Sequence, residues 1–276
     1  MNDKEYRLIA LDMDGTLLNS QKQISLKNIQ MIKRAINLGK IVIFNTGRCP
    51  AELNEYFADL EEIQYLNCVS GALVYDRKNQ KNIFNQFLPI QTVKELIEIG
   101  MQEDSMIHLL TEQSIVQKDK IMMMNKYHMA IYQKMYQQVT TPMENLQEEY
   151  NADPFEVAKL NIYHIDSQAR QRTRQRILAK QLAVEMVNTE NTSLEISTKG
   201  IDKGIGLEKL CQYLNIPMSK VIVVGDGDND IGAIKKAGLK IAMGNANDTI
   251  KQLADVIVAD NDHDGCAMAI EKYILT

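Results

Sequence analysis

The chain has 276 residues, of which 45% are apolar, and a formal net charge of −5. This length favours two domains with sizeable cores, and the acidic balance argues against a general nucleic-acid surface. No apolar run approaches the roughly 20 residues that a membrane-spanning helix needs. The first five residues lack an apolar signal core, so we expect a cytoplasmic protein that does not associate with membranes. Four widely spaced cysteines without a Cys-x-x-Cys pair fit reduced thiols in that compartment.

Apolar runs and helical periodicity alternate along the first third of the chain. The pattern predicts a buried strand at Leu8–Leu11 and a helix from Leu26, with Ser25 as its N-cap and Gly39 as its stop. The elements predicted next are a strand at 41–45, a helix at 50–59, a strand at 65–69 and a hairpin that joins 73–75 to 83–86.

A second alternation fills the middle of the chain, and the first one then resumes. The pattern of the middle segment predicts helices at 92–102, 120–138 and 167–181. It predicts strands at 107–110, 114–117, 161–165 and 184–188. After a strand near residue 194, we predict helices at 203–214, 231–237, 247–254 and 264–275, and strands at 221–225, 239–242 and 256–258. Such a βα repeat predicts an α/β fold with a Rossmann-like parallel sheet. The predicted domains are a core of residues 1–81 and 190–276 and an inserted α/β cap of residues 82–189.

Two carboxylates, Asp12 and Asp14, follow the first predicted strand. Side chains two positions apart point the same way along a strand, and Gly15 allows the chain to turn directly after them. Such a pair repels itself unless a cation lies between the two groups or one carboxyl keeps a proton. The sequence therefore predicts a divalent metal, a shared proton or both, and an aspartate in this setting can act as a covalent nucleophile.

A second acidic cluster follows another apolar run far along the chain. The run at 221–224 leads into Gly225-Asp226-Gly227-Asp228-Asn229-Asp230. Glycine, aspartate and asparagine are common in turns, but an ordinary turn does not explain a second set of carboxylates at the end of a second buried strand. In open parallel sheets, ligands bind outside the carboxyl ends of the strands. Both clusters are thus expected to converge on one oxygen-rich site suited to Mg²⁺.

Four segments in order resemble the motifs of the haloacid dehalogenase (HAD) phosphatase superfamily, and the chain is similar to its Cof-type members, which carry a type IIB cap. The resemblance spans nearly the whole chain. The matching segments are Asp12-Met13-Asp14-Gly15-Thr16, Thr46-Gly47-Arg48, Gly200-Ile201-Asp202-Lys203-Gly204 and Gly225 to Asp230, together with Ala242 to Ala246 and Asn261-Asp262-His263-Asp264-Gly265 towards the end of the chain.

The resemblance implies hydrolysis of small phosphomonoesters, such as sugar phosphates or related phosphorylated metabolites, through an aspartyl-phosphate. It implies Asp12 as nucleophile, Asp14 as general acid and base, and Lys203 as the catalytic lysine. Crowding by other carboxylates would favour a protonated Asp14. It further implies that Thr16 fixes the loop and Asp14, and that the cap contacts the leaving group. The implied Mg²⁺ ligands are Asp12, Asp14 through its backbone carbonyl, Asp226 and Asp230, and the implied phosphate or substrate contacts are Met13, Thr46, Gly47, Arg48, Ser70 and Asn229.

Two positions depart from the subfamily pattern. Two other functions are also compatible with the sequence. Ser70 replaces the usual asparagine before Gly71, and its hydroxyl has a shorter reach. Asn45 replaces the usual alanine before Thr46, so its side chain either faces the site or satisfies local backbone groups. A phosphosugar mutase of the same superfamily and a non-catalytic module that binds phosphorylated metabolites are the alternatives, and either a monomer or a homodimer is compatible with the sequence.

Overall fold

The computed structural model describes residues 5–189 and 192–275. The expectation for the first five residues and the predicted domain boundary at residue 190 involve residues outside this range. The chain divides into two compact units. The first contains the described residues up to Arg48, Leu53–Phe84 and those from Asp202 onward, and the second contains Cys49–Glu52 and the described part of Asn85–Ile201. Within the described ranges, no helix is long and apolar enough to cross a membrane.

The strands and helices are numbered along the chain. The strands are β1 (Leu8–Leu11), β2 (Ile41–Asn45), β3 (Tyr65–Cys68), β4 (Leu73–Asp76), β5 (Lys81–Asn85), β6 (Ser105–Leu110), β7 (Ser114–Gln117), β8 (Thr140–Met143), β9 (Lys159–His164), β10 (Val184–Thr189), β11 (Ser193–Thr198), β12 (Val221–Gly225), β13 (Leu239–Ala242) and β14 (Val256–Ile257). The α-helices are α1 (Leu26–Asn37), α2 (Ile90–Met101), α3 (Lys118–Met122), α4 (Gln133–Val139), α5 (Leu146–Ala152), α6 (Ser167–Ala179), α7 (Lys203–Leu214), α8 (Ile231–Lys236), α9 (Asp248–Leu253) and α10 (Gly265–Ala269).

The first unit is built on a mostly parallel sheet with the strand order β14-β13-β12-β1-β2-β3-β4-β5. Strand β1 lies near its centre and pairs in parallel with β12 and β2, so that Leu8 is opposite both Val221 and Ile41. All four residues of β1 are buried, as expected for a strand that is covered on both faces. The predicted α/β fold with its parallel sheet is therefore confirmed, and β4 and β5 are neighbours as the predicted hairpin requires.

Two helices of the first unit begin where the sequence signals place them. Helix α1 starts after Ser25, whose hydroxyl accepts a hydrogen bond from Asn28 N at 3.1 Å. Helix α7 starts after Asp202, whose carboxylate accepts from Ile205 N at 2.8 Å. A side-chain acceptor at the N-cap satisfies one of the free N–H groups of the first turn. The cap of α7 thereby fixes the position of Lys203, the first helical residue.

The second unit contains a six-stranded sheet with the order β10-β11-β9-β6-β7-β8. One face of this sheet packs on helices α2, α5 and α6 to form the larger apolar core of this unit. Tyr150 of α5 and Ile177 of α6 are fully or almost fully buried in that core together with Leu160 and Ile162 of β9. This unit has its own core, as the prediction of an inserted α/β domain expects.

Several sequence predictions fail, most of them in the second unit. Strand β11 belongs to this sheet and not to the sheet of the first unit, because it pairs with β9 and β10. The helix predicted at 120–138 is broken at His128, which has a left-handed φ of 61°. Strand β8 and helix α5 are absent from the predictions. The segment Pro50–Ala58 forms a 3₁₀-helix, and the last predicted helix is a short α10 followed by a π-helical turn at Ile270–Ile274.

Candidate active site

Three carboxylates meet at the carboxyl ends of two neighbouring strands. Asp12 follows β1, Asp226 follows β12, and Asp230 ends the 3₁₀ turn Asp228–Asp230. Because β1 and β12 are parallel and adjacent, their ends lie at the same edge of the sheet. One carboxylate oxygen from each residue lies within 4.8 Å of the others, an arrangement that could hold a metal ion. The predicted convergence of the two acidic clusters is therefore found for these three residues.

Lys203 places its ammonium group between two of these carboxylates. Its Nζ donates to Asp12 Oδ1 at 2.6 Å and to Asp230 Oδ1 at 2.8 Å. The lysine is fully buried, and Asp12 is only 4% exposed. Gly71 allows α7 to approach this closely, because a Cβ at Gly71 would lie 1.9 Å from the carbonyl oxygen of Asp202. The lysine and the two aspartates therefore form a compact buried ion cluster.

Burial and like charges raise the proton affinity of this cluster. Burial raises the pKa of Asp12 well above its usual range, and the charges of Asp230 and Asp226 add to that effect against the opposing charge of Lys203. Burial and the neighbouring Asp230 raise the pKa of Asp226 to about 6, although Thr16 hydrogen-bonds to the charged form. Burial alone would lower the pKa of Lys203, but Asp12 and Asp230 outweigh it and raise that pKa. The crowding of carboxylates expected from the sequence thus contributes to the raised pKa values of Asp12 and Asp226.

Asp14 meets a different environment, although it lies only two residues from Asp12. Its carboxylate accepts from Arg48 Nε at 2.7 Å, from Arg48 Nη2 at 2.9 Å and from Lys22 Nζ at 2.8 Å. Burial would raise the pKa of Asp14, but Arg48 and then Lys22 outweigh it and hold that pKa far below its usual range. The expectation that crowding keeps Asp14 protonated is therefore wrong for this structure, because its nearest charged partners are cations.

The glycine and threonine after Asp14 shape the loop around Asp226. Gly15 has a φ of 82°, and a Cβ there would lie 2.4 Å from Asp226 Oδ2, so only glycine fits. Thr16 Oγ1 donates to Asp226 Oδ1 at 2.6 Å. The motif resemblance implied that Thr16 fixes the loop and Asp14, whereas its hydroxyl bonds to Asp226.

The remaining predicted site residues lie on the loops that follow β1, β2, β3 and β12. Thr46 Oγ1 accepts from Arg48 N at 3.2 Å, and Gly47 lies between these two residues. Ser70 has a left-handed φ of 55° between Val69 and Gly71, and its N–H donates to the carbonyl of Thr46. Met13 is buried and its carbonyl accepts from Leu18 N, whereas Asn229 lies in the 3₁₀ turn Asp228–Asp230. Three consecutive positive φ angles at 69–71 mark a locally strained turn beside these loops.

The structure also answers where Asn45 points. Its Oδ1 accepts from Asn67 Nδ2 at 2.5 Å, and the same Asn67 amide donates to the carbonyl of Lys203 at 2.8 Å. Asn67 therefore ties β2 and β3 to the first turn of α7. Neither Asn67 nor Lys22 is among the site residues predicted from the sequence. A polar residue inside a buried apolar strand is a usable signal for Asn67, whereas nothing in the sequence around Lys22 indicates its contact with Asp14.

Comparison with known proteins gives the same family over almost the whole chain. The family model of haloacid dehalogenase-like hydrolases matches residues 9–270. The chain is 30% identical to the 5-amino-6-(5-phospho-D-ribitylamino)uracil phosphatase YcsE of Bacillus subtilis, across 99% of this chain and 98% of that protein. It is 26% identical to the pyridoxal phosphate phosphatase YbhA of Escherichia coli, across 98% of this chain and 99% of that protein.

A solved structure agrees with the fold described above. A haloacid dehalogenase-like hydrolase from Bacteroides thetaiotaomicron has a TM-score of 0.85 at 26% sequence identity, covering 97% of this chain and 99% of that one. The family expected from the motifs is confirmed by these matches. The chain therefore belongs to the haloacid dehalogenase-like hydrolases and is a phosphatase of that family.

Proposed function

We propose that the protein hydrolyses small phosphomonoesters in a Mg²⁺-dependent reaction, through an aspartyl-phosphate on Asp12. The observation that carries the proposal is the buried cluster of Asp12, Lys203, Asp226 and Asp230, with Asp14 two residues away in a separate ion pair. A buried carboxylate beside a lysine and a carboxylate pair suits attack on an anionic phosphorus, because positive charge can offset the repulsion.

The donor set fits a hard divalent cation. Carboxylate and carbonyl oxygens are the ligands that Mg²⁺ prefers. Asp12 and Asp226 would hold it, together with the backbone carbonyl of Asp14. Asp230 Oδ1 accepts from Lys203, and its Oδ2 accepts from the N–H groups of Asp226 and Gly227. Through these hydrogen bonds Asp230 would support the metal site. The bound metal supplies neutralisation of the negative charge on the transferring phosphoryl group.

The proposed reaction has two displacement steps. A carboxylate oxygen of Asp12 attacks phosphorus, the bond from phosphorus to the ester oxygen breaks, and Asp14 gives its proton to the leaving alcohol. Water then attacks the aspartyl-phosphate, the ionised Asp14 takes up a proton from that water, and phosphate leaves as Asp12 is restored. The ion pair with Arg48 and Lys22 favours the ionised Asp14 that the second step requires. Proton donation in the first step requires Asp14 to move out of this pair.

Backbone and side-chain donors around the cluster would position the phosphoryl oxygens. Lys203 provides a positive charge, and Thr46, the backbone of Gly47 and Asn229 provide hydrogen bonds, with the N–H of Met13 beside the nucleophile. Ser70 and Arg48 complete the proposed substrate contacts. Preorganised donors of this kind stabilise charge that develops in the transition state.

A substrate panel with matched variants tests this function. We would measure phosphate release from sugar phosphates, pyridoxal phosphate and 5-amino-6-(5-phospho-D-ribitylamino)uracil, because two relatives are named for the last two compounds. Asp12→Asn should lose about a thousandfold or more in kcat, and EDTA should abolish release that Mg²⁺ restores. Asp228→Asn is the matched control, since this exposed carboxylate lies in the same acidic segment and accepts from Asn247 Nδ2. An Asp12→Asn protein that keeps more than a tenth of the activity would refute the nucleophile.

A further inference from the structure

Residues 15–25 form a short segment between β1 and α1, in which Lys22 donates a hydrogen bond to Asp14. We call it the flap. Leu18 forms isolated bridges with Asp14 and Ile24, and Asn19 Oδ1 accepts from Gln21 N at 3.0 Å and Gln23 N at 2.9 Å. Lys22 adopts a left-handed φ of 60° at the tip. The position of the flap therefore sets the distance between Lys22 and Asp14.

Four side chains from two distant loops hold the flap along its length. Asn245 Nδ2 donates to the carbonyl of Gly15 at 2.8 Å, and Asn261 Nδ2 donates to the carbonyl of Leu18 at 2.9 Å. The two asparagines are themselves joined, because Asn261 N donates to Asn245 Oδ1 at 3.1 Å. These residues belong to the two C-terminal sequence motifs, to which the proposed reaction assigns no role.

Two carboxylates bind the part of the flap that lies nearest to α1. Asp262 accepts from both the N–H and the hydroxyl of Ser20, at 2.8 and 2.5 Å. Asp264 accepts from the hydroxyl of Ser25 at 2.5 Å. We call Asn245, Asn261, Asp262 and Asp264 the clasp.

The loop that carries three clasp residues is itself anchored. Asp260 Oδ1 accepts from Asp262 N at 3.0 Å, and the carbonyl of Asp260 accepts from Gly265 N at 3.2 Å. In the following helix, Ala267 N donates at 2.8 Å to the buried Oδ1 of Asn28 in α1. The loop that carries these clasp residues is therefore fixed to α1 by hydrogen bonds.

We propose that the clasp is a set of positioning residues, which holds the flap so that Lys22 stays against Asp14 in the geometry that the proposed uptake of a proton from water needs. The proposal rests on the proposed function for its catalytic consequence. Residues 19–25 of the flap are exposed or half-buried, and segments of this kind open locally at low cost. Asp262 is exposed, so its loss should leave the global fold almost unaffected while it frees the flap.

The test combines hydrogen exchange with kinetics on the whole chain of 276 residues. We would make Asn261→Ala and Asp262→Ala, with Asp255→Ala as the matched control, because exposed Asp255 accepts the N–H of Lys240 at 3.0 Å in the same unit without contacting the flap. Amide exchange of the peptide that covers 15–25 should become about tenfold faster in both clasp variants and stay unchanged in the control. We expect kcat to fall roughly 5- to 30-fold with KM changed less than about twofold, and Asp262→Asn, which keeps one acceptor oxygen, to recover part of the loss.

Each arm can contradict a different part of the inference. Unchanged exchange in both variants would mean that the clasp does not hold the flap. Faster exchange with an unchanged kcat would mean that the flap does not position Asp14. Exchange is measured without substrate, so it tests the clasp even if the phosphatase function itself fails. If Asn261→Ala does not fold, Asn245→Ala takes its place, since it removes the bond to Gly15.

Discussion

Asp12 and Asp14 are two residues apart, yet their carboxylates meet opposite surroundings. Asp12 is buried among Asp226, Asp230 and Lys203, and its pKa is raised by burial and by the neighbouring carboxylates. Asp14 is 34% exposed at its side chain and paired with two cations, so its pKa is lowered. Environments that push the pKa values of two acids apart are how enzymes assign different roles to the same side chain.

The difference arises from which elements supply the partners. The partners of Asp12 come from the end of β12, the turn after it and the first turn of α7, all fixed by the central sheet. The partners of Asp14 come from the flap and from the loop after β2. The proposed nucleophile thus takes its partners from elements fixed by the sheet, whereas the proposed acid–base residue takes its partners from loops.

The largest effect should follow loss of the cation in the rigid cluster. Lys203→Met leaves two buried carboxylates without their shared partner, so the metal-free protein should lose about 3–5 kcal/mol in its free energy of unfolding. The rate of phosphate release should fall roughly 10²- to 10³-fold, measured at saturating substrate. Lys236→Met is the control, because its pair with Glu208 lies at the surface and is worth about 1 kcal/mol or less. Equal stability of Lys203→Met and wild type would contradict the buried ion cluster.

Loss of the cation beside Asp14 should change the pH profile and not only the rate. Without Arg48 the pKa of Asp14 returns towards its ordinary value, so fewer molecules carry the ionised base at acidic pH. In Arg48→Met we therefore expect kcat to fall about 10- to 100-fold and the acidic limb of its pH profile to move to higher pH. Arg77→Met, which removes a guanidinium over Phe57, should leave the profile in place. An unchanged limb in Arg48→Met would show that this arginine does not set the ionisation of Asp14.

The effect of metal on stability should depend on pH through Asp226. Its pKa is raised to about 6, so folding takes up a proton between pH 4 and 6, and the metal-free protein loses this contribution as the pH rises to 7. At the proposed site Mg²⁺ would bind the deprotonated carboxylate, so it should raise Tm more at pH 7 than at pH 5. Thermal unfolding with and without Mg²⁺ measures this, with Asp226→Asn as the control that should lose most of the dependence. The same rise in Tm at both pH values would contradict the prediction.

Local signals were sufficient for much of the first unit and for the rigid cluster. The bounds of α7, β12 and β13 match the predicted ones, because N-caps, turns and apolar runs specify them locally. The meeting of Asp12 with Asp226 follows once a parallel sheet is assumed, since strand ends then share an edge.

Predictions failed where residues distant in the sequence determine the local structure or the contacts of a side chain. Strand β11 is assigned by its pairing with β9 and β10, which no property of its own sequence reveals. The helix predicted over 120–138 has helical composition, but a left-handed His128 interrupts it. The contact of Lys22 with Asp14 escaped prediction in the same way, because Lys22 lies in a turn outside the recognised motifs.

The smallest effect concerns the amide pair that links β2 and β3 to α7. Asn45 Nδ2 and Asn67 Oδ1 have no hydrogen-bond partner in the described parts of the chain, although both residues are fully buried. Asn67→Val would leave the Asn45 amide entirely unpaired and should cost about 1–3 kcal/mol in the free energy of unfolding. Replacing both residues, as Asn45→Ala/Asn67→Val, removes the unpaired groups together, so the double variant should be more stable than the two single effects predict. Denaturant unfolding of all four proteins closes this cycle, and strict additivity would mean that the two amides do not interact.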